Sequence, residues 1–121
     1  MSQGTAIVLF NEQKIRRVWR EDGWWFAVID VVAALTDSAK PAQYLKDMRG
    51  RDLELNKAWK KLASLIHVET PGGQQKINCA NTEGILRIIQ SIPSPKAEPF
   101  KRWLAKVGYE RIQEIENPEL A

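Results

Sequence analysis

Apolar and polar residues alternate along the first part of the chain with the two-residue period of β-strands. Residues 5–10 form a short apolar run rich in β-formers and are predicted to be a strand. Two further strands are predicted at residues 14–19 and 24–28, joined by a tight turn at Asp22-Gly23. The chain therefore begins with a predicted strand and a hairpin.

The position of the turn decides which side chains share a face of the hairpin. A turn at Asp22-Gly23 pairs Trp19 with Phe26. Alternation then sends four apolar side chains to one face: Ile15, Trp19, Trp24 and Phe26. The other face receives Lys14, Arg16, Arg20, Val18, Trp25 and Ala27. One side is apolar, and the other is basic around a tryptophan.

From Asp30 onward the apolar residues recur at the spacing of α-helices. Asp30 is predicted to cap a short helix that ends at Leu35, and a second helix is predicted over residues 40–48 with Pro41 in its first turn. Asp52 is predicted to cap a third helix. Its apolar stripe is Leu55, Ala58, Trp59, Leu62 and Ile66.

In the second half of the chain, a hairpin is again predicted to be followed by a helix. Residues 65–69 and 76–80 flank Pro71-Gly72-Gly73 and are predicted to form a second hairpin. A helix capped by Asn81 or Thr82 follows, with Ile85, Ile88, Ile89 and Ile92 on one face.

The last predicted helices lie near the carboxyl end. Ser94-Pro95 opens one of them, and Pro99 is expected to bend or restart it because proline lacks a backbone donor. Gly108 is predicted to end this helix, and a last amphipathic turn is predicted over residues 109–116.

These elements predict an α+β fold in which a small antiparallel sheet of hairpins packs with about five short helices. Residues 1–116 are predicted to be one domain, with residues 117–121 as a tail or a truncated link to a carboxy-terminal domain. The predicted core is Trp19, Trp24, Phe26, Leu35, Leu45, Trp59, Leu62, Ile85, Ile88, Ile89, Phe100, Trp103 and Leu104.

Composition narrows the class of protein. The chain has 121 residues, of which 44% are hydrophobic, enough for one core. Its longest apolar stretch, residues 24–35, is interrupted by Asp30 and is too short to cross a bilayer. The amino terminus does not have the pattern of a signal peptide, and the single cysteine, Cys79, excludes an internal disulfide. A cytoplasmic protein without a membrane partner is expected.

Basic charge is concentrated in two blocks of the first half. The first block is Lys14, Arg16, Arg17 and Arg20, and the second lies within residues 40–61, which hold seven basic against three acidic residues. Residues 62–121 hold seven of each sign. If the two blocks meet in space, they form a surface that attracts phosphates. If they do not, they are solvated faces of separate elements.

Two long stretches of the sequence resemble a known family. Arg17-Val18-Trp19 followed by residues 23–35 (GWWFAVIDVVAAL) resembles the opening of BRO amino-terminal domains. Residues 81–89 (NTEGILRII) and 94–104 (SPKAEPFKRWL) are similar to the second signature of that family. The ending, from Trp103 onward, resembles the branch of DNA-damage-inducible protein D.

The resemblance implies a mixed α+β domain that binds DNA. Such domains usually stand in front of a separate carboxy-terminal module, in prophage antirepressor-like proteins that regulate transcription. The resemblance of the ending to the branch of DNA-damage-inducible protein D further implies a role in the response to DNA damage. The resemblance supplies no set of base-reading residues, so these are argued from the chemistry of the side chains.

The region from Asp30 to Arg49 has the order of a helix-turn-helix. Its second helix would face the major groove of double-stranded DNA with Lys40, Gln43, Lys46 and Arg49. Gln43 is the candidate for a base contact, because it is the one uncharged amide on this face. The alternative is two helices that merely pack together in an α+β domain.

The hairpin offers a second candidate surface. Arg16 and Arg20 could contact phosphates, and Trp25 could stack on a base. The alternative is that Trp25 is covered by the arginine stems or by a helix. Arg51, Lys60 and Lys61 are candidates to extend the surface, and we expect the two basic blocks to form a single face.

Catalytic and metal sites are not expected, so the chain is not expected to be an enzyme. His67 and Cys79 are too few to ligate a metal, and no cofactor motif is present. Cys79 lies in a predicted strand and is interpreted as a small core residue, while His67 is interpreted as a surface or half-buried residue. Residues 71–76 lack the ending of a phosphate-binding loop and are interpreted as a hairpin turn.

Two classes of partner remain open. The basic blocks favour double-stranded DNA, whereas the modest net charge of +3 and the acidic ending also fit a protein-interaction module. Such a module would sequester a repressor or a recombination protein. Assembly into a homo-oligomer is compatible with either.

Overall fold

The computed structural model describes residues 5–21 and 23–107. It confirms the predicted α+β class, with a five-stranded antiparallel sheet and five helices in this part of the chain. The strands are β1 (Thr5–Phe10), β2 (Gln13–Arg20), β3 (Gly23–Ala27), β4 (Ser64–Thr70) and β5 (Gly73–Ala80). The helices are α1 (Val28–Thr36), α2 (Pro41–Arg51), α3 (Leu53–Leu62), α4 (Thr82–Gln90) and α5 (Ala97–Val107).

The sheet has the order β1-β2-β3-β5-β4. Its central seam is short, because β3 and β5 pair only through Phe26 with Ala80 and Ala27 with Cys79. At the outer edges the backbone N–H of Glu69 donates to Thr5 Oγ1, 3.1 Å away, so the first and last strands of the sheet approach each other. The sheet is therefore strongly curled.

The turn of the first hairpin comes one residue earlier than predicted. Arg20 pairs with Gly23, and Trp19 lies opposite Trp24 instead of Phe26. The partner of each residue moves by two positions, so every side chain keeps its predicted face. Trp24 and Phe26 accordingly lie in the main core.

The predicted caps of two helices are confirmed. Asp52 accepts a hydrogen bond from the Leu55 N–H at 3.0 Å, and Asn81 accepts one from the Gly84 N–H at 2.9 Å. The Asp52 carboxylate also accepts from the Ser91 hydroxyl, and these hydrogen bonds lower its pKa.

The prediction that Asp30 caps α1 is wrong. The helix begins at Val28, two residues before Asp30, and Ala27 is at its N-cap position without a side-chain hydrogen bond. The Asp30 carboxylate binds Arg16 instead. The assignment of Ile66 to the third helix is also wrong, because α3 ends at Leu62 and Ile66 lies in β4.

Pro99 neither bends nor restarts the last helix, contrary to the prediction. It lies in the first turn of α5, where a backbone N–H has no partner within the helix and its absence is tolerated. The helix runs without interruption to Val107. Gly108, the predicted turn at 109–116 and the tail at 117–121 lie outside the described residues.

Two apolar clusters form on opposite faces of the sheet. The larger one packs the helices against the sheet, and the smaller one contains Val18, Ala27, Ile66, Val68 and Cys79. Most of the predicted core is buried, but four of its residues are only partly buried: Trp19, Leu45, Leu62 and Trp103. Each lies on the boundary of the larger cluster. No helix among the described residues is long and apolar enough to cross a membrane.

Candidate nucleic-acid interface

A cleft of about 680 Å³ separates α2 from the hairpin of β4 and β5. Successive turns of α2 form one wall of the cleft through Ala42, Leu45, Lys46, Arg49 and Gly50. The opposite wall is Leu65 of β4 and residues 75–78 of β5. Arg16, Ile29 and Asn56 complete the lining.

The lining of the cleft is basic. It contains Arg16, Lys46, Arg49 and Lys76, and none of its residues is acidic. Three of these four were candidates from the sequence, and Lys76 was not. Lys46, Arg49 and Lys76 form no ion pair within 4.0 Å with any carboxylate of the described part of the chain. The opening of the cleft is therefore a place of uncompensated positive charge.

Arg16 differs from the other three cations because it has a carboxylate partner. Its Nε and Nη2 atoms each donate to the Asp30 carboxylate at 2.8 Å, and its backbone N–H donates to the same group at 2.9 Å. The hydrogen bonds to Asp30 raise the pKa of Arg16. This two-point contact fixes the guanidinium and ties β2 to α1, while it offsets the charge that Arg16 contributes to the cleft.

Arg49 is held in place by neutral partners. Its guanidinium lies over the ring of Trp59, 4.4 Å from the centroid, and its Nε donates to Asn56 Oδ1 at 3.2 Å. Neither contact cancels the charge, and the remaining guanidinium nitrogens are left for a ligand. The second predicted helix thus presents an oriented cation to the cleft.

Several predicted site residues lie outside the cleft. Lys40, Lys60 and Lys61 are exposed, and Arg51 lines a separate hollow that also contains Asp52 and Glu54. The basic blocks therefore meet only in part: Arg16, Lys46 and Arg49 share the cleft. Whether any of these residues contacts DNA stays a prediction.

Three other candidates have partners of their own. Arg20 forms an ion pair with Glu21 at 3.2 Å and lies 5.5 Å from the ring of Trp25. Trp25 is partly buried against the smaller apolar cluster. On α2, Gln43 donates to the Asp47 carboxylate at 2.9 Å, so a base contact by Gln43 would require this bond to open.

Arg17, which belongs to the first basic block, is buried and serves the fold. Its Nη1 donates to the Val107 carbonyl at 2.9 Å, and its guanidinium lies 3.8 Å from the centroid of the Trp24 ring. It thereby joins α5 to β2.

The profile of the BRO family N-terminal domain matches residues 14–113. The chain belongs to the BRO family. None of the curated proteins and none of the solved structures matches the sequence significantly. Every residue that lines the cleft lies within the matched range.

Cys79 of this BRO domain is buried in the smaller apolar cluster, as predicted for a core residue. Burial raises the pKa of its thiol to about 12. His67 is exposed on β4, in line with its interpretation as a surface residue. The described residues contain no group of three or more metal-ligating side chains.

We expect the Cys79 thiol to be inert in the folded protein at neutral pH, because the thiolate is the reactive form and burial disfavours it. Titration with a thiol-specific chromogenic reagent should label Cys79 only after a denaturant is added. Labelling of the native protein at the rate of a free thiol would show that the strand seam around Cys79 opens readily.

Proposed function

We propose that this domain binds double-stranded DNA and contributes to transcription control without catalysis or a cofactor. The observation that supports this most is the grouping of Lys46, Arg49 and Lys76 around one opening, with no carboxylate partner in the described residues. Uncompensated cations held on rigid elements attract the phosphate backbone of a duplex. Membership of the BRO family is compatible with this function.

The order of α1, the connection at residues 37–40 and α2 is also compatible with a helix-turn-helix. In that arrangement Lys46 and Gln43 lie on the exposed part of α2 and would approach the groove. We further propose a cytoplasmic protein of the antirepressor-like or DNA-damage-inducible kind. The antirepressor-like assignment rests on the resemblance of residues 17–35 and 81–104, and the DNA-damage-inducible assignment rests on the resemblance of the ending from Trp103 onward.

Salt dependence tests the proposal. We expect duplex DNA of random sequence to bind with a log affinity that falls linearly with log salt concentration. Lys46→Ala and Lys76→Ala should each make that slope shallower by about 0.9 for every phosphate that the variant no longer neutralises. Fluorescence anisotropy of a labelled duplex over a salt series measures the slope.

Arg102→Ala is the matched control, because Arg102 is exposed on α5 and lies outside the cleft. The slope of this variant should equal that of the parent protein. A parent protein that does not bind the duplex, or a slope that Lys46→Ala leaves unchanged, would contradict the proposal.

A second candidate function has its own support. The cleft contains the apolar side chains of Leu45 and Ile77, and Leu65 at its rim is 61% exposed. Apolar side chains offer no favourable contact to phosphates, whereas a protein partner can bury its own apolar side chains against them. A protein-interaction module that sequesters a repressor or a recombination protein, alone or as a homo-oligomer, is therefore the alternative.

A further inference from the structure

One edge of β5 has no neighbouring strand along most of its length. On that side β3 pairs only with Cys79 and Ala80, and it then ends where α1 begins. No described strand lies beside residues 73–78 at this edge. The cleft occupies the position that a longer β3 would fill, because Ile29, just beyond β3, lies in its lining.

The register of the hairpin shows which backbone groups face this edge. β4 and β5 are joined by a two-residue turn, with Thr70 opposite Gly73. Such a pair exchanges both backbone hydrogen bonds, and exchanging and non-exchanging pairs then alternate along the ladder. Gln75 and Ile77 therefore bond to β4, and the next residues along direct their N–H and C=O groups the other way.

The residues with outward backbone groups are Gln74, Lys76 and Asn78. Ala80 has the same parity, and it is paired on this side with Phe26 of β3. Among the described residues, the backbone groups of Gln74, Lys76 and Asn78 form no backbone–backbone hydrogen bond outside the strand ladder. Unpaired backbone donors and acceptors at a strand edge are a template for a further strand.

The side chains around the edge indicate the chemistry of that strand. Lys46, Arg49 and Lys76 favour carboxylates, and no lining residue is acidic. The apolar members Leu45, Leu65 and Ile77 favour aliphatic side chains between those carboxylates. A strand presents its side chains alternately to its two faces, so alternating acidic and aliphatic residues suit such a lining.

We propose that an extended, acidic segment of a partner protein adds to β5 as a sixth strand, between β5 and α2. The backbone groups of Lys76 and Asn78 pair with the segment, and Lys46 and Arg49 bind its carboxylates. This goes beyond the proposed DNA binding, because phosphates use the cations but not the strand edge.

A labelled synthetic peptide of alternating Glu and Val tests the proposal in the absence of DNA, so its result is independent of the proposed function. We expect the full chain to bind this peptide and not the corresponding peptide of alternating Lys and Val. Fluorescence polarisation measures both affinities.

Methylation of the peptide backbone separates strand addition from mere charge attraction. Two isomers, N-methylated at every Glu or at every Val, have identical charge and composition, but only one edge of a strand faces β5. We expect the affinity of one isomer to fall about tenfold or more while the other keeps its affinity. Equal affinities of the two isomers would overturn the proposal.

A pair of protein variants tests the same edge from the other side. Lys76→Pro removes the cation and the outward N–H, and the ladder with β4 does not use that N–H. Lys76→Ala removes only the cation. We expect Lys76→Pro to bind the peptide several-fold more weakly than Lys76→Ala, and equal binding by the two would count against the added strand.

Hydrogen exchange at the Asn78 amide distinguishes the occupants of the edge. We expect this exchange to be fast in the dilute full chain and to slow when the peptide is added. Slow exchange without peptide would place another segment of this chain on the edge. Protection that grows with protein concentration alone would place a second copy there, and either result would overturn the proposal.

Discussion

Phe100→Ala is expected to lower the free energy of unfolding by about 3–5 kcal/mol. The Phe100 side chain is 0% exposed and packs with Phe10 and Trp103, whose ring centroids lie 4.9 and 5.0 Å away. Truncation would remove these ring contacts and leave a cavity where α5 meets β1. The decrease is large against the total stability of a domain of this size.

Urea unfolding followed by tryptophan fluorescence measures this decrease. The control is Leu53→Ala, because Leu53 is 66% exposed, and its truncation should change the free energy of unfolding by less than about 0.5 kcal/mol. If the two variants unfold at the same urea concentration, Phe100 does not lie in the core.

Gly84→Ala is expected to destabilise the protein, although alanine is the better helix former by about 1 kcal/mol. A Cβ atom at Gly84 would lie 2.6 Å from the Leu62 carbonyl oxygen and 3.0 Å from Ala80 Cβ. The α3 terminus and β5 would have to shift, and such overpacking costs about 1–3 kcal/mol. Close packing against Leu62 and Ala80 therefore explains why position 84 holds a glycine.

The matched control for this prediction is Gly50→Ala, which lies in α2 with nothing within 4 Å of the added Cβ. Only helix propensity acts there, so this variant should gain up to about 1 kcal/mol. Thermal or urea unfolding of both variants gives the comparison. A stabilised Gly84→Ala protein would mean that α4 does not approach the end of α3 so closely.

Local patterns in the sequence were sufficient for much of the fold. Asp52 and Asn81 act as caps because the hydrogen bond of a cap joins residues three positions apart, a distance that the sequence displays directly. The burial of Ile85 and Ile88 likewise follows from helical spacing. Confirmed predictions of this kind depend on neighbours along the chain.

The wrong predictions concern side-chain partners and turn positions that depend on residues distant in the sequence. A carboxylate near the start of a helix can cap it or bind a cation, and Asp30 binds Arg16, 14 residues earlier, because β2 passes beside α1. The error in the position of the hairpin turn has a similar origin. Both Glu21-Asp22 and Asp22-Gly23 have residues typical of turns, and the pairing of Trp19 with Trp24 distinguishes the two positions. Trp19 and Trp24 also stack edge to face at 5.3 Å.

The candidate cleft was predictable only in part for the same reason. Arg16, Lys46 and Arg49 belong to basic blocks that the charge pattern displays. Lys76 lies in the neutral half of the chain, and only the packing of the second hairpin beside α2 brings it to them. Alternation places Arg17 on the apolar face of the hairpin, between Ile15 and Trp19, but no signal in the sequence indicates its partner, a backbone carbonyl of α5.

The short seam between β3 and β5 has a consequence for how the chain reaches this structure. Each side of the sheet is a meander or hairpin of neighbouring segments, which form quickly. The seam instead joins Phe26 to Ala80 and Ala27 to Cys79. The long segment between these residues must be closed into a loop, at a cost in conformational entropy, before the two pairs can form. Completion of the sheet is thus expected to be a late, rate-limiting event, because α1 to α3, β4 and most of β5 lie between the paired residues.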